Sequence, residues 1–172
     1  PQMLTTEVDE VVNLLNTLGN LVSVEVKPYS KNQSNQLDVS YTEFEIFVKK
    51  LILNSQRKFE VVNEFLLQDT LTDSRVSFSN DHVYITPNGK FGVLEFDEAD
   101  NEYFKEYDTF DEYREWCDIE QQRVSENEFC SKCDYYGKCL SEHLRDVKDI
   151  DNSCNGFVNL INWYKESGRM ES

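Results

Sequence analysis

The chain contains no run of about 18 apolar residues, the length a membrane-crossing helix requires, so no segment is expected to span a bilayer. Its opening, PQMLTTEVDEVV, has no basic stretch followed by an apolar one, and so no secretory leader is expected. Those residues are acidic and amphipathic, and they read as the inside of a longer chain cut at a domain edge. Positive charge is scarce too. Lys and Arg number 17 against 33 Asp and Glu, giving a formal charge of −16. That balance argues against nucleic acid as a partner, because phosphate binding depends on clustered Lys and Arg. There are only two histidines. The many carboxylates, Asp97, Glu98 and Asp100 among them, form no pattern beyond a charged face, which leaves a stand-alone enzyme poorly equipped. Internal repeats and low-complexity tracts are absent as well.

What is present suits one ordinary domain or two small lobes. The 172 residues are 39% hydrophobic and 13% aromatic, enough for a real core. Five cysteines make an odd number. Without a leader, that count speaks against a secreted disulfide framework and for the reducing cytoplasm. Residues 95–120 hold twelve acidic side chains and two basic ones, Lys105 and Arg114. This stretch is either a solvated face that maintains solubility or a docking surface for a basic peptide.

Hydrophobic spacing predicts a helix over residues 5–18, with Thr6 as N-cap and Val8, Val11, Val12, Leu15 and Leu18 on one face. A short alternating strand is expected over 21–26, then a polar loop over 30–38. A second helix is predicted over 40–54, burying Phe44, Phe47, Val48, Leu51 and Ile52. Residues 59–71 are ambiguous, and 69–80 read as a polar connection. Two β-rich runs, 82–86 and 91–96, flank Pro87-Asn88-Gly89, which predicts a hairpin with Gly89 at positive φ. Residues 103–107 offer a third short strand. Thr109 followed by Glu112 forms a capping box. It opens a helix whose inner stripe would be Phe110, Tyr113 and Cys117, which makes Cys117 a core residue. A last helix, 153–166, would bury Phe157, Leu160, Ile161 and Tyr164.

The chemistry-bearing stretch is 130–154. Cys130, Cys133, Cys139 and Cys154 stand with two, five and fourteen residues between successive members. Thiolates this close are what a soft metal or an iron–sulfur cluster needs. Cys130-Ser131-Lys132-Cys133 puts two ligands on one tight turn, and Gly137 lets the backbone fold back toward a metal. Three readings stand. A cubane cluster takes one thiolate per iron from separated points, which suits a knuckle and two single cysteines. Structural zinc normally uses two knuckles, or a knuckle and a His pair. Unliganded thiols are the third reading. A thioredoxin-like pair would leave Cys139 and Cys154 unexplained.

The hairpin at 85–91, the acidic helix ending in Glu115-Trp116, and the Cys-x2-Cys-x5-Cys series with its distant fourth cysteine resemble a SPASM/twitch domain. Such domains form the C-terminal region of many radical S-adenosylmethionine enzymes, peptide maturases and sulfatase-maturing enzymes among them. The resemblance covers residues 82–166. More weakly, residues 5–56 resemble the last β/α units of the preceding partial barrel. It implies an α+β fold, with a β/α barrel remnant over 1–78 and a cysteine-rich SPASM/twitch domain over 79–172. It also implies that Cys130, Cys133, Cys139 and Cys154 hold an auxiliary 4Fe–4S cluster, and that the partner is a peptide or protein substrate. Leu94 stands where a second auxiliary cluster would take a cysteine, so that cluster is expected to be missing. His143 stands at another cysteine position of the pattern and is expected to be an ordinary polar helix residue.

The family's Cys-x3-Cys-x2-Cys motif for the catalytic cluster and S-adenosylmethionine occurs nowhere in this chain. The expectation is therefore an auxiliary-cluster region of a peptide-modifying oxidoreductase, with S-adenosylmethionine bound only in a full-length enzyme. The alternative is a non-catalytic peptide-binding module stapled by zinc, a metal that the same thiolates can also take up in protein prepared in air.

Overall fold

The computed structural model describes residues 7–27, 41–74, 83–97, 102–139 and 157–171. Among these the protein is α+β, with five α-helices and two small sheets. They fall into two compact units: the described residues up to 74 together with 157–171, and residues 83–139. The last helix, expected with the cysteine-rich part, belongs instead to the first unit.

In that first unit, α1 (Val8–Asn16) buries Val8 and Val12. Thr6 lies outside the described residues, and Glu7 occupies the N-cap without a side-chain cap bond. Leu18 is 53% exposed rather than packed, because α1 ends at Asn16 and the chain leaves the helical path before Leu18 can join the stripe. The expected strand over 21–26 reduces to β1 (Ser23–Val24), parallel to β2 (Glu60–Val61), with one further bond from Glu60 N–H to Val22 O at 2.9 Å. Pairing stops there because β2 runs straight into α3 (Val62–Leu71). A side chain then continues the ladder. Asn63, 4% exposed, accepts from Val26 N–H through Oδ1 and donates to Val26 O through Nδ2, both at 2.8 Å. The ambiguous stretch 59–71 is thus a short strand and a helix.

Between β1 and β2 lies α2 (Tyr41–Leu53), whose Phe44, Phe47, Val48, Leu51 and Ile52 are all buried as the spacing predicts. The last helix, α4, follows α3 in this unit (Phe157–Glu166) and buries Phe157, Leu160, Ile161 and Tyr164. That stripe explains its membership. Phe157 meets Phe44 of α2 edge-on at 5.9 Å, and the Tyr164 hydroxyl accepts from Gln68 Nε2 of α3 at 2.8 Å. Glu64 lies beside the same hydroxyl at 3.4 Å and pairs with Arg57 at 2.9 Å and Arg169 at 3.5 Å. Lys49 pairs with Glu45 and sits 5.4 Å from the Trp163 ring centre.

The second unit begins with the hairpin. β3 (Tyr84–Ile85) pairs antiparallel with β4 (Phe91–Asp97), and β4 with β5 (Glu102–Tyr107). The turn has Gly89 at φ 81°, with Gly89 N–H bonded to Thr86 O at 2.8 Å and Thr86 N–H to Lys90 O at 2.9 Å. Only a residue without a Cβ enters that left-handed region at no steric cost, so Pro87-Asn88-Gly89 sets the register. The capping box then starts α5 (Phe110–Glu126): Glu112 N–H donates to Thr109 Oγ1 at 3.3 Å and Thr109 N–H to Glu112 Oε2 at 3.1 Å. Tyr113 and Cys117 are buried against Phe91, Tyr107 and Trp116. Phe110, expected on the inner stripe, is 47% exposed because it occupies the first helical position and meets Phe91 and Tyr113 only at the margin.

Replacing Asn63 by Ala strands two backbone groups of Val26, and is expected to lower stability by roughly 1–3 kcal/mol in denaturant unfolding. Burial pushes the Tyr164 phenol above its ordinary value, with Glu64 adding to the effect. A raised pKa means stability that is present below the ordinary phenol value and lost as pH climbs through the folded one. Alkaline unfolding of the wild type should therefore steepen above about pH 10, and Tyr164→Phe should flatten that limb.

Candidate metal centre

The segment that carries the cysteines leaves the end of α5 and is built from consecutive tight turns. Asn127 governs its start. Its side-chain Oδ1 accepts the N–H groups of Phe129 at 3.0 Å and Cys130 at 2.9 Å, while its carbonyl accepts Ser131 N–H at 3.0 Å. This is the local side-chain bonding by which Asn competes with a helix and ends it. A single 3₁₀ turn follows over Cys130–Lys132, closed by Cys133 N–H to Cys130 O at 3.1 Å. Cys133 itself is extended, with φ −83° and ψ 134°.

Beyond it the backbone turns twice more. Tyr136 N–H donates to Cys133 O at 3.0 Å, and both Lys138 N–H and Cys139 N–H donate to Tyr135 O, at 3.0 and 3.1 Å. Gly137 makes the second reversal at φ 72° and is buried. The expected fold-back at this glycine is thus present. Tyr135 N–H points at Cys133 Sγ, 3.4 Å away. A backbone N–H aimed at sulfur stabilises the thiolate that a metal binds, and bonds of this kind tune a sulfur-ligated centre.

Cys130, Cys133 and Cys139 are all half-buried thiols rather than disulfide partners. Burial pushes the Tyr136 phenol above its ordinary value, with a smaller electrostatic contribution from Cys130. Cys117 is 2% exposed in the α5 core, the place its helical spacing predicts.

Of the four expected ligands, the structure brings Cys130, Cys133 and Cys139 onto one run of turns. Cys154 lies outside the described residues, as do His143, Glu98 and Asp100. Leu94 and Asp97 belong to β4, where their backbones pair with Phe104 and Glu102. Among the described residues no three Cys, His, Asp or Glu side chains gather closely enough to hold a metal ion. The donor types, the turn and the N–H to sulfur bond fit a thiolate-bound metal. A closed coordination group would need these three thiols drawn together and a fourth ligand added.

Two residues outside the cysteine spacing, Asn127 and Tyr135, also shape this segment. Asn127 sits three positions before Cys130, the spacing at which an Asn side chain caps a turn. That signal was readable. The role of Tyr135 is not, because any residue type supplies its backbone N–H.

No protein-family model, curated protein or solved structure matches the chain.

Gly137 gives a direct probe of this segment. A side chain forced into the left-handed region costs about 1–2 kcal/mol. Gly137→Ala should therefore destabilise the second unit by about that amount and weaken binding of a thiol-seeking metal. Gly137→Asn should recover part of both losses, since Asn tolerates this backbone region. Thermal unfolding and cobalt(II) titration of the two variants read the effect.

Proposed function

We propose that this chain is an auxiliary-cluster region of a radical S-adenosylmethionine peptide-modifying enzyme, with Cys130, Cys133, Cys139 and Cys154 as the four ligands of one 4Fe–4S cluster. The observation that carries the reading is the cysteine turn itself. Its closing bond from Cys133 N–H to Cys130 O, the N–H of Tyr135 on Cys133 Sγ and the left-handed Gly137 form a preformed knuckle for two thiolates. Two further features agree with the family pattern. A Pro-Asn-Gly hairpin and a box-capped acidic helix precede the knuckle in the expected order. In the first unit, β1, α2 and β2 make a strand–helix–parallel strand unit, the repeating piece from which β/α barrels are built.

When bound, such a cluster supplies a one-electron donor or acceptor beside the substrate. The chain's own residues hold it and set its surroundings. The turn positions the Cys130 and Cys133 thiolates, Gly137 returns the backbone so that Cys139 can face them, and the Tyr135 N–H offsets charge on the Cys133 sulfur. Reductive cleavage of S-adenosylmethionine is assigned to another part of a full-length enzyme. A peptide is the proposed substrate, and the acidic residues of α5 suit a basic one.

The same hydrogen-bonded turn is also the form of a zinc knuckle, which sustains the second reading, a non-catalytic peptide-binding module stapled by Zn²⁺. Anaerobic reconstitution with iron and sulfide separates the two. The cluster reading expects about four irons and four sulfides per chain, the content of one cubane centre, and loss of both in Cys130→Ala. Failure to retain iron under strict anaerobiosis, with tight stoichiometric zinc instead, overturns it in favour of the second.

A further inference from the structure

The turn that would grip a metal also has the geometry of a dithiol couple. Cys130 and Cys133 bracket a single 3₁₀ turn closed by a 3.1 Å bond between their own backbones. In a turn closed from residue i to i+3 the two Cα atoms lie within roughly 7 Å. A disulfide bridges Cα atoms roughly 4.4–6.8 Å apart, a range that overlaps the span of such a turn. Asn127 fixes the near side of the turn through the Phe129 and Cys130 N–H groups, and Tyr136 N–H on Cys133 O fixes the far side. Both cysteines carry thiols and both are half-buried, so a small oxidant can reach them. Cys117 cannot take part. It is sealed in the α5 core at 2% exposure. Cys139 follows after two further turns around Gly137, whereas Cys130 and Cys133 share one closed turn.

We propose that Cys130 and Cys133 form a reversible redox couple, and that closing their disulfide prevents metal from binding at this segment. The oxidant is a low-molecular-weight disulfide such as oxidised glutathione. One cysteine thiolate attacks a sulfur of that disulfide, forming a mixed disulfide and releasing one glutathione thiolate. The second cysteine thiolate attacks the protein-side sulfur and releases the other glutathione. The two cysteines together lose two electrons and two protons, the oxidant is reduced to two thiols, and a reductant of the same class reverses the exchange. Two of the proposed metal ligands are then tied to each other and can no longer bind as thiolates. The disulfide itself requires no metal. Only the gating of metal uptake rests on the function proposed above.

The test uses the whole metal-free chain, equilibrated anaerobically with glutathione buffers running from mostly reduced to mostly oxidised. Remaining thiols are then alkylated and peptides mapped by mass spectrometry. The expected result is one internal linkage, Cys130 to Cys133, reversed by added thiol, with Cys117 and Cys139 still alkylated. Cys130→Ser and Cys133→Ser should each stop at a single glutathione adduct on the remaining cysteine. The proposal is overturned if both residues stay alkylatable in the most oxidised buffer, or if the linkages found run to Cys139 or Cys154. Cobalt(II) uptake by the same samples then reports the gating, which should fall at least about tenfold between the reduced and the oxidised chain. Equal uptake overturns the gating. A chain that closes the disulfide yet binds no metal when reduced sinks the metal reading and leaves the couple standing.

Discussion

One carboxamide sets the course of the cysteine segment. Asn127 Oδ1 accepts two consecutive N–H groups at the end of a 17-residue helix, which stops the helix and starts the turn holding Cys130. Were α5 to continue, Cys130 and Cys133 would sit on a helical face with their backbones committed to longer-range bonds. Ending it frees the next thirteen residues to be organised by turns, and turns are where a backbone N–H can be directed at a sulfur rather than at a carbonyl. Tyr135 and Gly137 then complete what Asn127 begins. The small aromatic core around Tyr113 and Cys117 has a supporting part: it anchors α5 to the three-stranded sheet and so fixes where that helix ends.

The two units solve different problems. The first has a conventional apolar core, drawn from stripes on α1, α2 and α4, and it uses polar groups sparingly where the core needs them. Asn63 finishes a parallel ladder too short to satisfy Val26, and Tyr164 buries a ring while its hydroxyl stays bonded to Gln68. Burying such groups with partners avoids the cost of leaving them without one. Among its described residues the second unit uses local devices: a glycine-dependent hairpin, a reciprocal capping box, an Asn-capped helix end and a second left-handed glycine.

Much of this was legible from residue order. The stripes of α2 and α4 appear in the structure residue for residue, because helical periodicity over ten or more positions is hard to mistake. The hairpin and the capping box also follow from local chemistry, since Gly89 and the Thr109–Glu112 pair act on neighbours a few positions away. What periodicity could not give was long-range choice. Nothing in residues 59–71 says that two of them pair with Ser23 and Val24 before a helix begins, since that decision belongs to a strand far away in sequence. The allegiance of the last helix was hidden for the same reason: its stripe was readable, but the surface it would meet was not. Phe110 and Leu18 are exposed because they stand at element ends, where a stripe loses its neighbours. For the cysteines, spacing foretold the turn and the glycine reversal. It does not fix where Cys154 stands.

The central claim is that four thiolates, contributed by a turn and two later positions, share one metal. Cobalt(II) substitution counts them, because each thiolate bound to the metal adds its own sulfur-to-cobalt charge-transfer absorption, while tetrahedral coordination gives a distinctive visible band. The account predicts a tetrahedral spectrum for the reduced chain, with the charge-transfer intensity falling by about one quarter in Cys154→Ser and by the same amount in Cys139→Ser. A spectrum unaltered by Cys154→Ser, or the absence of any charge-transfer band in the reduced wild type, would contradict it.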